Sequence, residues 1–403
     1  MKITIDIYQP AEDSYLLQKA VRSYAEGRVL DLGTGSGIQA LTAVKVSAVR
    51  EVVAVDINEE AVTQLQQKIK EEKLRKISAA VSDIFSKVHS QFNLIIVNPP
   101  YLPQDKGVED KAIYGGKKGW EYIERFFASV SSYLFGDGKI LLLFSSLTKK
   151  EKVEEIIGRY LFQFQEVEKE KMAFEELYVY LIEKKLLLRE VESKGIEQVH
   201  YFTHGKRGNI YTGQFNRHTL VKKFFPPGRN TVKVAIKAKR EDSAAEGTLE
   251  REAQWLKLLN KEGIGPKLLF SGNNYLVYEF VEGEFIEVWI SKNNKSAILK
   301  VLQRILSQCY RLDQLGITKE ELHHPQKHIL IDAQEQVTLL DFERATRTDS
   351  PQNVTQVIEF FCRMKENLAK KGITLHIPRL RVLAQEYSKN REVIEILKKE
   401  LVS

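Results

Sequence analysis

Through the first 184 residues, short apolar runs rich in Val, Ile and Leu alternate with longer stretches of helical period. RVLDLG (28–33), VVAVDIN (52–58), ISAAVSD (77–83), NLIIVNPP (93–100), KILLLFSS (139–146) and ELYVYLIEK (176–184) read as strands. Helices are expected from Ile38, from Glu59 and through WEYIERFFASVSSYL (120–134). Such alternation predicts an α/β, Rossmann-like doubly wound sheet with its ligand site at the carboxyl ends of the strands. Near residue 185 the pattern changes without a Gly/Ser or Pro-rich linker. VHYFTHGKRGNIYTG (199–213) predicts a hairpin, VAIKAKR (234–240) a strand, EGTLEREAQWLKLLNKEG (246–263) a helix and YLVYEFVEG (275–283) a strand. The expected domains are 1–184 and 185–403.

A length of 403 residues suits two domains, each able to bury its own core. No apolar run approaches the roughly 20 residues needed to span a bilayer, and the N-terminus has no signal-peptide pattern, so a cytoplasmic protein without membrane contact is expected. Cys309 and Cys362 form no C-x-x-C pair and read as reduced packing residues. The net charge of +7 is unevenly divided: 25 Lys and Arg against 27 Asp and Glu in residues 1–184, and 36 against 27 beyond them. That split disfavours a nucleic-acid grip in the first half and leaves the second free to hold a phosphorylated ligand or RNA.

Three expected strand ends carry an acid. Asp31 precedes Gly33, Gly35 and Gly37 in DLGTGSG, a turn that brings backbone against a ligand in nicotinamide, flavin and S-adenosylmethionine proteins alike. Asp56 can accept from ribose hydroxyls, because Asn58 is better placed to cap the next helix. Asp83 can accept from an adenine amine, with Ile57 and Ile84 on the ring faces. The fourth strand ends in Asn98, Pro99, Pro100 and Tyr101. A planar NH2 awaiting methylation needs two fixed acceptors: the Asn98 side chain and the Pro99 carbonyl provide them, the prolines stiffen both, and Tyr101 can stack on the acceptor plane. An amide and an adenine amine fit equally well.

With DLGTGSG and NPPY the first half resembles the class I S-adenosylmethionine-dependent methyltransferases, specifically HemK-type enzymes that methylate a protein glutamine. YQPAEDSYLL (8–17), AIYGGKKGWEYIERFF (112–127) and ELYVYLIEK resemble the short archaeal and eukaryotic branch. This resemblance implies S-adenosylmethionine as cofactor, held by Ser14, Asp31, Gly33, Gly35, Asp56 and Asp83. It also implies the GGQ glutamine of a class I translation release factor as substrate and a small zinc-binding activator subunit as partner. NPPY is shared with adenine-N6 methyltransferases, which remain the alternative; the charge balance and the missing target-recognition domain favour glutamine.

In the second half a glycine turn (Gly205 to Gly208), Lys237 on a strand, Glu252 on a helix and Asp341 in VTLLDFERA follow the order that a protein-kinase fold requires. The stretch resembles the RIO/Bud32 lineage of atypical kinases over roughly residues 195–365. The resemblance implies a kinase-like α+β domain that binds ATP and Mg²⁺, with Lys237 on the phosphates and paired to Glu252, and Asp341 on the metal. Aligning KHIL on the segment of a kinase catalytic loop that ends Asn-Ile-Leu puts His323 at the catalytic Asp and His328 at the Asn. His323 is then the candidate base, and His328 a poor ligand for Mg²⁺. The competing expectation is a ribosome- or RNA-associated adaptor with a decayed kinase half.

Overall fold

The computed structural model describes residues 8–100, 118–205, 208–216, 231–240 and 247–401. Tyr101, Lys206, Arg207 and the 112–117 stretch of the family-like motif lie outside the described residues. The first half runs α1 (Glu12–Tyr24), β1 (Gly27–Leu32), α2 (Ile38–Ala43), β2 (Val49–Asp56), α3 (Glu59–Glu71), β3 (Ile77–Val81), β4 (Phe92–Val97), α4 (Glu121–Val130), β5 (Leu134–Ser145), α5 (Lys150–Arg159), β6 (Phe162–Lys171), β7 (Glu176–Lys184) and α6 (Leu186–Ser193). Its strands form one seven-stranded sheet in the order β3-β2-β1-β4-β5-β7-β6. The pairs from β3 to β5 are parallel, whereas β7 runs antiparallel to β5 and β6.

Burial explains why the apolar runs were readable as strands. Leu94 to Val97 of β4 and Val29 to Leu32 of β1 are buried, as expected for central parallel strands covered on both faces. Leu16, Leu17, Ala20 and Val21 of α1 pack on one face together with Ala40 and Ala43 of α2. Phe126, Phe127, Ile156 and Ile157 of α4 and α5 are buried too. At the β1–α2 turn Gly33, Gly35 and Gly37 have φ of 74°, 48° and 81°, a region that an L side chain enters only with strain. A Cβ on Gly37 would also stand 2.6 Å from Leu65 of α3.

The second half runs β8 (Ile196–His204), β9 (Gly208–Asn216), β10 (Thr231–Lys239), α7 (Thr248–Leu259), β11 (Leu268–Gly272), β12 (Tyr275–Glu279), β13 (Glu284–Phe285), α8 (Ile286–Lys292), α9 (Lys295–Gln314), β14 (Ile317–Thr318), β15 (Ile329–Ile331), β16 (Val337–Leu339), β17 (Thr346–Arg347), α10 (Asn353–Arg363), α11 (Lys365–Ala369), α12 (Ile377–Lys389) and α13 (Ile394–Glu400). A five-stranded sheet in the order β11-β12-β10-β9-β8 precedes a mainly helical part centred on α9. Cys309 and Cys362 are buried and free. Among the described residues no helix is long and apolar enough to cross a membrane.

Contacts divide the chain into Met1–Tyr201 with Gly213–Thr231, and Phe202–Thr212 with Val232–Ser403. The first unit therefore extends past residue 184, where the pattern change lay, and the reason is local. Lys184 at the end of β7 is 2% exposed. Its ammonium donates to the carbonyls of Ser131 and Leu134 at 2.8 and 2.9 Å and to Glu192 of α6 at 2.6 Å, tying that helix to the sheet. Lys184→Met leaves two carbonyls and a carboxylate without their cation. It should destabilise the first unit by about 3 kcal/mol, read as a lower denaturant midpoint at unchanged slope; an unshifted midpoint would mean that α6 is held by its apolar contacts alone.

Candidate active site at the strand ends

The parallel strands bring Asp31, Asp56, Asp83 and Asn98 to one end of the sheet, because β1 ends one residue after Asp31, β2 at Asp56, β4 one residue before Asn98 and β3 two residues before Asp83. Asp31 is buried, and its Oδ2 accepts from the Thr34 hydroxyl at 2.6 Å and the Ala40 amide at 3.0 Å. It thus braces the glycine turn from beneath. Asp56 accepts from the Gly35 amide at 2.8 Å through one oxygen and from the Asn58 amide at 2.8 Å through the other. Asn58 itself caps α3 by accepting from Glu60, the division of labour read from the sequence. Asp83 faces Arg125 of α4 at 3.3 Å, both side chains more than half exposed. A pair so open to solvent is worth at most about 1 kcal/mol and yields readily to a ligand. Ile57 is 54% exposed, an apolar surface left open beside these acids.

Two residues not singled out from the sequence complete the site. Tyr122 of α4 is a phenol whose pKa is pushed up by burial and by the negative charges of Asp56 and Asp83. Asp13 of α1 is buried and accepts from Asn98 Nδ2 at 2.8 Å. It also accepts from the Ser14 amide at 2.5 Å and from the Tyr8 hydroxyl. Ser14 is buried alongside, its carbonyl accepting from Gln39 of α2 at 2.8 Å. Only a motif match marked the AEDSYLL segment, since nothing in local spacing ties Asp13 to a residue 85 positions later.

The Asp13 bond settles which way the Asn98 amide points. A carboxylate only accepts, so the NH2 end must face it and the carbonyl oxygen faces away. That oxygen is buried and has no hydrogen-bond partner among the described residues. Buried acceptors are normally satisfied, so an orphan at the end of a central strand is a place held for a donor. Pro99 is buried behind it.

The family description "Methyltransferase small domain" matches residues 11–175. A protein of Methanocaldococcus jannaschii named as a protein N5-glutamine methyltransferase is 34% identical over 184 residues, spanning 44% of this chain and 92% of that one. The human methyltransferase HEMK2 is 30% identical over 166 residues, 38% of this chain and 76% of its own. The chain belongs to the HemK-type protein-glutamine methyltransferase family. It is an S-adenosylmethionine-dependent methyltransferase. Among solved structures, the E. cuniculi Mtq2-Trm112 complex is similar at 26% identity, covering 44% of this chain and 98% of that one with a TM-score of 0.37.

The family match ends at residue 175, and in this HemK-type chain the second half stands on its own residues. Lys237 of β10 donates to Glu252 of α7 at 2.7 Å and to Asp341 at 3.0 Å. Glu252 is 2% exposed, and Asp341 holds a left-handed φ of 65°. The three residues taken from the sequence therefore meet, with Glu343 3.9 Å from Lys237. Oxygens of Glu252, Asp341 and Glu343 lie within 4.8 Å of one another.

His323 is not brought to this cluster. It is exposed at the end of a short turn, and its carbonyl accepts from Arg363. Counting back from KHIL fails because two short turns, Glu320–His323 and Pro325–Lys327, lengthen the loop. The residues there instead are Lys319 and Glu321. Lys319 is wholly buried, donates to the Asp341 carbonyl, lies 4.9 Å over the Phe342 ring and pairs with Glu321 at 3.2 Å. His328 lies 3.8 Å from Asp341, with its Nδ1 buried and without a hydrogen-bond partner among the described residues. Counting forward from the short strand β14 would have reached Lys319 and Glu321 directly.

Burial raises the Asp31 carboxyl from 3.8 to about 6, against the lowering effect of its Thr34 and Ala40 bonds. With the folded value above the unfolded one, the unfolded chain loses this proton first. Asp31 therefore stabilises the fold relatively below about pH 4, and that contribution, about 3 kcal/mol, is lost as pH rises to about 6. Asp31→Asn keeps an acceptor for both donors and has no charge to bury. Its stability relative to the unmodified protein should rise between those two pH values, measured by urea unfolding; a pH-independent difference would show that Asp31 does not titrate there.

Proposed function

We propose that the first half methylates the side-chain amide nitrogen of a protein glutamine, the GGQ glutamine of a class I translation release factor. The observation that carries this reading is the buried Asn98 Oδ1, oriented by Asp13 and without a partner among the described residues. Asn98 Oδ1 would accept one N–H of the target amide and the Pro99 carbonyl the other, which turns the nitrogen lone pair toward the methyl donor. S-adenosylmethionine supplies an electrophilic methyl on a sulfonium. Asp56 and Asp83 would hold its ribose and adenine, the glycine turn and Ser14 its remaining polar groups, and Ile57 and Ile84 its ring faces. The acids and exposed Ile57 at the strand ends fit that group, whereas they repel a phosphodiester and so disfavour adenine in nucleic acid. Family resemblance adds a small zinc-binding subunit as partner.

A second reading concerns residues 185–403 as a kinase-like domain, and the Lys237, Glu252 and Asp341 constellation favours it. Lys237 would meet nucleotide phosphates and Asp341 a Mg²⁺ ion, with ATP as phosphoryl donor. Glu321, rather than His323, would accept the proton of an attacking hydroxyl, because it is the carboxylate linked to Asp341 through Lys319.

Asn98→Ala should lower kcat on a GGQ-containing release factor at least 100-fold, followed by mass spectrometry, while leaving the S-adenosylmethionine Kd within about twofold. Asp56→Ala should do the reverse and weaken the cofactor by about 1–3 kcal/mol. Equal loss of cofactor affinity in both variants sinks these roles, and methylation of adenine in place of glutamine sinks the acceptor.

For the second half, Mg²⁺-ATP should raise the thermal unfolding temperature of the full chain, and Asp341→Ala should remove the rise. Any ATP turnover should disappear in Glu321→Gln and survive in His323→Ala. The opposite pattern would restore the histidine, and no shift with Mg²⁺-ATP would rule out the nucleotide site.

A further inference from the structure

The three strands that carry acids at one end carry cations at the other. β1, β2 and β3 are parallel, so their first residues share one end of the sheet. Arg28 is the second residue of β1, Arg50 the second of β2, and Arg75 and Lys76 immediately precede β3. Together with Glu51 they line an open cavity of about 510 Å³. Strands of six residues put this cavity about 20 Å from Asn98, so it is separate from the methyl-transfer site.

The cations fall into two sets. Arg28 is held in place, its Nε on Glu51 at 2.7 Å and its guanidinium 5.6 Å over the Phe92 ring. Lys76 is tethered to the Val49 carbonyl at 3.0 Å. Arg50 and Arg75 are exposed and have no ion-pair or hydrogen-bond partner among the described residues. Glu51, the acid lining the cavity, is already spent on Arg28. Four cations against one carboxylate stand out in a half that is slightly acidic overall. Self-repulsion makes such a grouping unfavourable without a counter-charge, and arginine's planar fork of donors suits an oxyanion bound through two oxygens.

We propose that this cavity binds phosphate groups, Arg50 and Arg75 closing on the anion and Arg28 and Lys76 forming its fixed floor. The volume accepts a nucleotide-sized ligand, and the open side admits one phosphate of a longer RNA strand. The reading is independent of the methyl acceptor, since an RNA held here lies away from Asn98.

The test uses the full chain and the doubly substituted Arg50→Gln, Arg75→Gln protein. Both side chains are exposed and unpartnered, so the variant should fold and bind S-adenosylmethionine unchanged. Pyrophosphate is titrated calorimetrically, and a fluorescent ten-nucleotide uridylate RNA is titrated by anisotropy at several salt concentrations. The expected result is a loss of pyrophosphate affinity of at least tenfold in the variant. If RNA is the source, its affinity falls equally and the slope of log K against log salt becomes shallower by about 1.4. If a free nucleotide is the source, RNA binding is unchanged while the pyrophosphate loss remains. No pyrophosphate binding by the unmodified chain, equal binding by the variant, or tighter binding of a glutamate decapeptide than of either probe overturns the proposal.

Discussion

A hydrogen bond between Asp13 and Asn98 governs what the first half can do. An amide in a strand-end loop can turn either face to the ligand, and the two faces have opposite hydrogen-bonding character. Asp13, buried in the first turn of α1 where the helix dipole favours its charge, removes the choice by demanding the NH2 end. The oxygen left over is a buried acceptor with no partner among the described residues, an unfavourable arrangement that a donor NH2 would relieve. Ser14 and Tyr8 hold Asp13 in turn, so the motif that resembled a family signature is the second layer of the site.

The second half rests on the same principle with charges in place of an amide. Lys237 lies between Glu252 and Asp341, and the buried Lys319 donates to the carbonyl of Asp341 from behind. Burial favours the neutral form of Lys319, and Glu321 and Asp341 oppose that shift. Removing any one charge leaves another buried and unpaired, which is why such a cluster fixes geometry even where it adds little net stability. Asp341 is kept in a left-handed conformation that a free chain would leave.

What was legible in the sequence was whatever had a local cause. Buried parallel strands show as uninterrupted apolar runs, and Asn58 as cap freed Asp56 for another role. β6 was not read, because FQFQEVEKEK is an edge strand with only Phe162 buried, held by backbone pairing to β7. Asp13, Tyr122 and Arg125 escaped because their partners lie far along the chain, 39 positions from Tyr122 to Asp83, 42 from Arg125 to Asp83 and 85 from Asp13 to Asn98. His323, reached by a count taken backward from KHIL, stands exposed in a loop that holds two short turns, where spacing is a poor measure of position. Lys237, Glu252 and Asp341 were singled out by their order along the chain, and their side chains meet.

Charge placement along one set of strands then bears on the acceptor. An anionic polymer approaching the carboxyl ends of β1, β2 and β3 meets Asp56 and Asp83, the latter paired with Arg125, while Arg28, Arg50, Arg75 and Lys76 attract it to the opposite end. A neutral amide on a protein loop carries no such penalty at the acidic end. On the proposed reading, the same polarity of the sheet that gathers acids at the carboxyl ends separates where a phosphate would be drawn from where the methyl group would be transferred, and an RNA bound by this chain would be a tether and not the methylated substrate.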